Sequence, residues 1–316
     1  MNKINVAIIG SNGFIGSHLT NLLLKKDNIN LHLFGRSKES ILDIPIEYNQ
    51  INLLNNVENA NYFKNIDLVY YLASETIPAN SWENPLVDVQ KNLVPFLTFL
   101  EAVSKLGIKK IVYLSSAGTV YGTTHKKVDE NFNKNPFSPY GITKLAIENF
   151  LLYYKTKYGI NSDIYRISNV YGAGQNTSKG LGLINTFLEK IISDHEIKIF
   201  GDGSNIRNYI YVKDVAELLS LSLIRDINTS ETYNLSSNDT LSINEIVDLI
   251  KKVVSEPFEI VYTPKRESDN TAIDLDNSKL INVVPNFKFT PISQGISETY
   301  DCIKNHSLIN FYGKSN

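Results

Sequence analysis

The chain has 316 residues, of which 42% are hydrophobic and 20% charged, and its formal net charge is −2 at pH 7. This composition is that of an ordinary globular protein, and the charge gives no reason to expect nucleic acid or an anionic membrane as partner. One cysteine excludes an internal disulfide framework, the five histidines lack metal-ligand spacing, and no stretch is typical of a signal peptide or membrane span. We therefore expect a cytoplasmic protein without a metal site.

The N-terminal region predicts a strand, a glycine-rich turn and a helix, in that order. An apolar run over 4–9 has the length of a buried parallel strand, a GxxGxxG pattern follows at Gly10, Gly13 and Gly16, and an amphipathic helix is predicted over 18–26. In this context the glycines allow a tight turn, a close approach of the backbone to a pyrophosphate, and packing of helix on strand. We predict a dinucleotide-binding turn; the alternative is a loop with incidental glycines. The residues predicted to contact the cofactor here are Gly10, Asn12, Gly13, Phe14, Ile15 and Gly16.

The second predicted strand, over 30–34, ends in Gly35, Arg36 and Ser37. An acidic residue here would accept a hydrogen bond from the adenosine ribose 2′-hydroxyl and favour NAD, but the sequence has none at this point. Arg36 and Ser37 suit a 2′-phosphate instead, because a guanidinium and a hydroxyl both donate to phosphate oxygens. We therefore expect NADP as the cofactor, with NAD as the second candidate. The alternative for Arg36 is a solvated side chain that stacks on adenine.

Further strands are predicted over 46–51, 67–72 and 110–114, and a long helix over 87–106. Strands that alternate with helices and are punctuated by glycines indicate a doubly wound parallel α/β sheet, which binds ligands at the carboxyl ends of its strands. Small or polar residues follow each of these strands. They are Asn52 and Leu53, where an adenine could rest; Leu72, Ala73 and Ser74, which leave room for a cofactor; and the segment 115–122. The serines of that segment are either substrate contacts or strand-end caps.

A tyrosine and a lysine one helical turn apart follow a predicted helix start. The serine and proline at 138–139 predict that start, Gly159 ends the helix, and Tyr140 and Lys144 then lie on one face. A lysine charge beside a phenol favours the phenolate, so Tyr140 could exchange a proton with a substrate hydroxyl near neutral pH. The same spacing recurs twice later in the chain, so the spacing alone does not indicate an active site. The strands predicted before it are what favour that interpretation.

The second half predicts fewer elements. A sixth strand is predicted over 161–166, a helix over 183–192, a short strand over 198–200 and a capped helix over 242–254. The polar segment 177–182 is expected to clasp the substrate.

In combination these motifs resemble those of extended short-chain dehydrogenase/reductases, in particular the nucleotide-sugar epimerase, dehydratase and reductase group. The residues that carry the resemblance are the glycine turn, the segment 115–122, Tyr140 with Lys144, the segments 166–172, 201–203 and 207–215, and Arg266 with Asp269. The resemblance implies a Rossmann-type doubly wound parallel sheet over 1–170, to which the chain later returns. It also implies a smaller mixed part over 171–316 that binds a nucleotide sugar, and homodimers formed through helices such as 87–106 and 140–158.

Roles for individual residues are implied in the same way. Tyr140 would be the catalytic acid/base, and Lys144 would hold the nicotinamide ribose and lower the pKa of Tyr140. The substrate contacts would be Asn169; Arg207 and Arg266, which would clamp the diphosphate; and Asp269, which would accept a hydrogen bond from the nucleoside ribose. Each arginine could instead form a structural ion pair.

The chain departs from the family at Ala117, where a Ser or Thr usually contacts the sugar hydroxyl. Ser116 or Thr119 would have to supply that contact. The residues at 117–119 also lack the carboxyl groups with which the family's 4,6-dehydratases expel water, so a dehydratase is not expected.

Three functions remain. The first is a reductase, in which NADPH reduces C4 of a 4-keto-6-deoxyhexose carried on dTDP or UDP, because Arg36 and Ser37 favour NADP. The alternative is a UDP-hexose 4-epimerase, in which bound NAD is transiently reduced. A remote third is a non-catalytic NADP sensor, which would have no need of Tyr140 and Lys144.

Overall fold

The computed structural model describes residues 3–55, 60–124, 126–178, 182–265 and 273–305. The strands of these ranges are β1 (Ile4–Ile9), β2 (Ile29–Gly35), β3 (Tyr48–Gln50), β4 (Leu68–Tyr71), β5 (Lys110–Ser116), β6 (Lys127–Val128), β7 (Asn161–Ile167), β8 (Asn169–Tyr171), β9 (Glu196–Phe200), β10 (Ile206–Tyr211), β11 (Glu231–Leu235), β12 (Thr240–Ser242), β13 (Glu259–Thr263) and β14 (Asp274–Leu275). The α-helices are α1 (Phe14–Leu23), α2 (Pro78–Glu83), α3 (Pro85–Asp88), α4 (Val94–Val103), α5 (Ala117–Val120), α6 (Pro139–Tyr158), α7 (Leu183–Asp194), α8 (Val212–Leu219), α9 (Ile243–Val253), α10 (Ser278–Val283) and α11 (Ile292–Lys304).

A seven-stranded sheet, in the order β11-β7-β5-β4-β1-β2-β3, forms the centre of the molecule. Every neighbouring pair in it is parallel. Since β1 lies between β2 and β4, the strand order reverses at β1, and a crevice opens at the carboxyl ends of these strands. The doubly wound parallel sheet predicted from the sequence is thereby confirmed.

Both faces of the sheet are covered, which explains why β1 reads as a continuous apolar run. Val6 and Ile8 of β1 pack into one hydrophobic cluster with side chains of α1 and α8, whereas Ala7 and Ile9 pack into a second cluster with side chains of α4 and α6. The two clusters hold the sheet rigidly between helices, so the ends of its strands are fixed platforms for a site.

Residues beyond 170 complete this sheet. β11 pairs with β7 in parallel register, and α8 packs against α1. A third hydrophobic cluster joins α7, α9 and α11 to β9 and β10, beside the three-stranded sheet β12-β10-β8. The division of the chain near residue 170 stays a prediction.

The long helix predicted over 87–106 is found as an unbroken helical run over 85–103 that contains a π-helical turn. The structure has α3, then a π-helical turn over Val89–Leu93, then α4. Pro95, at the start of α4, lacks an N–H and its ring crowds the preceding turn, so the wider π turn accommodates it. Across this turn, the Asn92 side-chain amide donates to Asp88 Oδ1 at 2.7 Å.

Helix α1 starts earlier than predicted, at Phe14, because Gly13 takes an extended conformation and caps it. Within the described residues, no helix combines the length and apolar character needed to cross a membrane. Nor do three or more His, Cys, Asp or Glu side chains of this part of the chain gather as a metal site would require.

Candidate active site

The glycine turn lies at the carboxyl end of β1 and packs closely on its neighbours. Gly10 has a φ of 91°, in the region that favours glycine, and Gly13 donates from its N–H to the Gly10 carbonyl at 2.9 Å. A Cβ on Gly16 would overlap that same carbonyl oxygen, so helix α1 can lie this close to the strand only with glycine there. A Cβ on Gly10 would come within 3.0 Å of the backbone nitrogen of Ala73. The turn therefore touches the segment that follows β4.

The start of α1 suits an anionic ligand. Its N-cap, Gly13, provides no side-chain acceptor, and no acidic residue lies in the first turn. The first N–H groups of a helix have no intrahelical partner, and the helix dipole favours negative charge at this end. This arrangement, at the end of a tight glycine turn, fits the pyrophosphate of a dinucleotide. Gly10, Gly13, Phe14, Ile15 and Gly16 would hold it.

Asn12 ties the glycine turn to the end of β2. Its side-chain amide donates to Ser37 Oγ at 2.6 Å and to the Glu39 carbonyl at 2.8 Å, and its Oδ1 accepts from the Ile41 N–H. The structure thus brings together Asn12 and Ser37, two of the residues predicted to bind the cofactor.

Arg36 does not stand free at the end of β2. Its guanidinium forms an ion pair with Glu75, which follows β4, and both side chains are accessible to solvent. The pair joins the two strands that flank β1. The Glu75 carboxylate next to Arg36 would repel a 2′-phosphate bound there, which weakens the sequence argument for NADP.

Two other predicted cofactor segments lie near by. Leu72 donates its N–H to the Ile9 carbonyl at 2.9 Å, which aligns the end of β4 with the end of β1. Asn52 and Leu53 follow β3 in a turn closed by a bond from the Asn55 N–H to the Asn52 carbonyl, and Leu53 packs against the second hydrophobic cluster.

The start of α6 fixes Tyr140 from several sides. Ser138 caps the helix by accepting from the Gly141 N–H at 3.1 Å, and Pro139 occupies the first turn, as the sequence predicted. The Tyr140 N–H donates to Ser81 Oγ of α2 at 3.3 Å. Gly141 packs so closely on the Thr119 carbonyl that a Cβ there would overlap it. These contacts fix the first turn of α6 relative to α2 and α5.

Lys144 is buried beside Tyr140. Its Nζ donates to the Leu114 carbonyl at 2.8 Å, and lies 4.9 Å from the ring centre of Tyr113 and 5.4 Å from that of Tyr140. Burial lowers the pKa of Lys144 to about 8, against the opposing influence of Asp88 and Glu148. The ammonium form still predominates at neutral pH, and the donors not used on Leu114 can reach a ligand.

The lowering of the pKa of Tyr140 by Lys144 stays a prediction, and the protein's own residues give the phenol a raised pKa. Burial is the largest influence and raises the pKa of Tyr140 to about 12; a hydrogen bond with the Ser74 side chain lowers it, and Asp88 raises it. The lysine ammonium points to Leu114 rather than to the phenol oxygen. Forming the phenolate near neutral pH therefore needs an additional positive charge, which an oxidised nicotinamide would bring.

The hydroxyl groups of the segment 115–122 are not equivalent. Ser115 is buried and donates to Glu148 Oε1 at 2.5 Å. Ala117 is fully buried, and Thr119 is buried and donates to the Ser116 carbonyl at 3.4 Å. Ser116 is half-buried at the start of α5 and makes no side-chain cap bond to it. Ser116 and Thr119 stay predictions for the substrate contact.

Sequence reasoning missed two buried networks behind these residues. In the first, Glu148 of α6 pairs with Arg166 of β7, which also donates to the Tyr121 hydroxyl. In the second, the side chains of Thr76, Asp88 and Asn92 form hydrogen bonds with one another. For the first network, the one sequence signal was Arg166 in the segment 166–172. For the second network there was no signal, because its members come from a loop and from either side of the π turn.

The predicted substrate residues are only partly described. Asn169 is exposed just beyond the carboxyl end of β7 and donates to the Asn208 carbonyl at 2.9 Å. Arg207 is half-buried on the neighbouring β10, near Tyr209. Arg266 and Asp269 lie outside the described residues, as do residues 179–181 of the predicted substrate loop 177–182.

Comparison with known proteins places the chain in a family. Residues 6–236 match the model of the NAD dependent epimerase/dehydratase family. A putative UDP-glucose 4-epimerase of Methanocaldococcus jannaschii is 33% identical over 278 residues, which are 87% of this chain and 90% of that protein. A dTDP-4-dehydro-6-deoxyglucose reductase of Escherichia coli is 28% identical over 284 residues, which are 87% of this chain and 89% of that protein.

Solved structures agree with the sequence relatives. The UDP-glucose 4-epimerase of Thermotoga maritima, determined with UDP-glucose, has a TM-score of 0.89 and 26% identity, over 96% of this chain and 99% of that chain. The UDP-glucose 4-epimerase of Thermus thermophilus, in complex with NAD, has a TM-score of 0.85 and 26% identity, over 95% of this chain and 99% of that chain. The chain belongs to the NAD dependent epimerase/dehydratase family, whose members include nucleotide-sugar epimerases and reductases.

Proposed function

We propose that the protein is a UDP-hexose 4-epimerase that uses NAD. The observation that carries the proposal is that the glycine turn, Lys144 and Tyr140 lie at one edge of the sheet. Gly10 packs on Ala73 just after β4, and Lys144, one turn along the helix from Tyr140, donates to the Leu114 carbonyl of the adjoining β5, so a dinucleotide bound at the turn would extend toward these two side chains. The similarity to UDP-glucose 4-epimerases over almost the whole chain supports this activity over the reductase that Arg36 and Ser37 suggested.

The residues of the chain would then have separate roles in the reaction. Tyr140 takes the proton from the sugar O4 and returns it, and Lys144 binds the cofactor ribose and holds positive charge near the phenol. NAD supplies a hydride acceptor that gives the hydride back to the opposite face of the sugar. Asn169, Arg207, Arg266 and Asp269 would bind the nucleotide sugar, with the two arginines on the diphosphate.

NAD is the cofactor we propose, in place of the NADP expected from the sequence. The ion pair between Arg36 and Glu75 leaves the guanidinium already partnered, and a 2′-phosphate would have to compete with the Glu75 carboxylate. The solved relative from Thermus thermophilus binds NAD.

The test is a combined assay of sugar and cofactor. Purified protein with NAD is incubated with UDP-glucose or UDP-N-acetylglucosamine, and the sugars are separated while nicotinamide absorbance is followed. We expect inversion at C4 with no net change in absorbance. Steady formation of NADH in step with a product, or no inversion with either sugar, would contradict the proposal.

A reductase is the second candidate, because the dTDP-4-dehydro-6-deoxyglucose reductase of Escherichia coli is 28% identical to this chain. The same assay with a dTDP-4-keto-6-deoxyhexose and NADPH distinguishes the two. A reductase consumes one reduced nicotinamide for each sugar reduced, whereas an epimerase leaves the pool unchanged.

We also propose that the protein forms a homodimer through the face of α6 and the segment Pro85–Val103. These neighbouring elements expose large apolar side chains, among them Leu86, Ile142 and Leu152, at 62%, 54% and 63%. Leu152→Glu is expected to give monomers in sedimentation experiments. Ile224→Glu, at a residue 75% exposed elsewhere on the surface, should leave the mass unchanged. A wild-type monomer would contradict the proposal.

A further inference from the structure

We propose that Glu75 selects NAD over NADP, by accepting a hydrogen bond from the adenosine ribose 2′-hydroxyl and by repelling a 2′-phosphate. The inference rests on the proposed function, because it concerns the cofactor of that reaction. An acidic residue at the end of the second strand commonly has this role in dinucleotide-binding sheets. Here β2 ends at Gly35 and is followed by Arg36 and Ser37, so the acidic group has to come from another part of the chain.

The ion pair with Arg36 brings the Glu75 carboxylate to the end of β2. Arg36 Nη1 donates to Glu75 Oε2, although Glu75 itself follows β4. Both β2 and β4 pair with β1, so the ion pair spans the strand that ends in the glycine turn. A dinucleotide with its pyrophosphate at that turn would have its adenosine ribose at the end of β2. The Glu75 carboxylate is therefore placed where the 2′-hydroxyl is expected.

One oxygen of this carboxylate remains available to a ligand. Oε2 accepts from Arg36, whereas Oε1 accepts no hydrogen bond from the residues that the structure describes, and the Glu75 side chain is 34% exposed. An ionised carboxylate only accepts hydrogen bonds, so Oε1 suits a ribose hydroxyl and not a phosphate oxygen, which is also an acceptor. The negative charges of the carboxylate and a 2′-phosphate would in addition repel each other.

A buried network fixes the backbone that carries Glu75. The Glu75 N–H donates to Asn92 Oδ1 at 2.9 Å, and the Asn92 amide donates in turn to Thr76 Oγ1 at 2.5 Å and to Asp88 Oδ1 at 2.7 Å. The side chains of Thr76, Asp88 and Asn92 are all buried. The position from which the Glu75 side chain extends toward β2 is thus held inside the protein, and Arg36 has only to orient the carboxylate.

Ser37 cannot compensate by donating to a 2′-phosphate. Its one proton is donated to the Glu39 carbonyl at 3.0 Å. Its oxygen accepts from the Asn12 amide at 2.6 Å and lies 2.8 Å from the Tyr48 hydroxyl. A hydroxyl engaged in this way has no donor left for a phosphate oxygen. The discrimination between the two cofactors is therefore left to Arg36 and Glu75.

The test measures equilibrium binding of NADH and NADPH, without sugar, to protein freed of any nucleotide that co-purifies. We expect wild type to bind NADH about tenfold more tightly than NADPH or better. Glu75→Gln should reduce this ratio about tenfold, because it removes a repelling charge and releases Arg36 to bind the phosphate. Combining it with Arg36→Leu should reverse most of the gain in NADPH affinity. Glu39→Gln, which removes an equal charge from an exposed residue of the loop after β2, should keep the wild-type ratio.

A cofactor analogue tests the hydrogen bond itself. NAD that lacks the adenosine 2′-hydroxyl should bind wild type about tenfold more weakly than NAD does, the size expected for one hydrogen bond to a charged group. Glu75→Ala should bind NAD and this analogue with nearly equal affinity, because the acceptor of the hydroxyl is gone.

The inference is overturned if Glu75→Gln keeps the wild-type preference for NADH, or if Glu39→Gln changes that preference as much. It is equally overturned if wild type prefers NADPH, or if the analogue loses the same affinity in Glu75→Ala as in wild type. The expected shift in a protein that inverts no sugar would uphold the role of Glu75 and refute the proposed function. Inversion with NAD and an unchanged preference in Glu75→Gln would do the reverse.

Discussion

Tyr140→Phe is expected to lower the rate of sugar inversion by about 10²–10⁴-fold, the range that general acid/base groups contribute. The substitution removes one oxygen and keeps the ring, so the packing of α6 on α2 and β5 should be unchanged. NAD binding should survive as well, because Lys144 and the glycine turn are untouched. The measurement is the initial rate with a UDP-hexose, together with a thermal melt and an NAD titration.

The chain offers a matched control on the same helix. Tyr153 has the same spacing to Lys157, whose Nζ donates to its hydroxyl at 2.9 Å, but Tyr153 is on the surface. Tyr153→Phe removes an equivalent hydroxyl far from the glycine turn and should keep the wild-type rate. If Tyr140→Phe kept a tenth or more of the activity, Tyr140 would not be the group that moves the O4 proton.

The sequence predicted those parts of the site that depend on local signals. The turn at Gly10 follows directly from a buried strand, and only glycine satisfies its φ and the close approach of Gly16. The Ser138 cap and the Gly159 stop are likewise set by neighbouring residues, and both are found where the pattern indicated. Tyr140 and Lys144 then lie on one helical face as a matter of geometry.

The parts that the sequence did not predict depend on distant partners. β11 has the short sequence ETYNL, and it becomes a strand because β7, more than sixty residues earlier, offers a free edge for pairing. The hydrogen bonds among Thr76, Asp88 and Asn92 were not predicted, because they depend on how a loop and a helix pack. The burial that raises the pKa of Tyr140 was not predicted for the same reason, because burial cannot be deduced from a spacing of four residues.

The second large effect is expected at Arg166, and it concerns stability. Arg166 Nη2 donates to Glu148 Oε2 at 2.7 Å, Nε contacts both carboxylate oxygens at 3.2 Å, and Nη1 donates to the Tyr121 hydroxyl at 2.9 Å. Both charged side chains are only 6% exposed. Arg166→Met would leave the Glu148 carboxylate buried with Ser115 as its one remaining side-chain donor, and should cost about 3–5 kcal/mol in the free energy of unfolding.

Urea unfolding measures this cost, and two further variants show its origin. Lys213→Met breaks a partly exposed pair with Glu298 and should cost no more than about 1 kcal/mol. Combining Arg166→Met with Glu148→Leu should recover much of the loss, because the uncompensated charge is then gone. A cost for Arg166→Met no larger than that for Lys213→Met would mean that the carboxylate reaches water. The position of the end of β5 beside Tyr140 would then depend on packing and not on the hydrogen bond between Ser115 and Glu148.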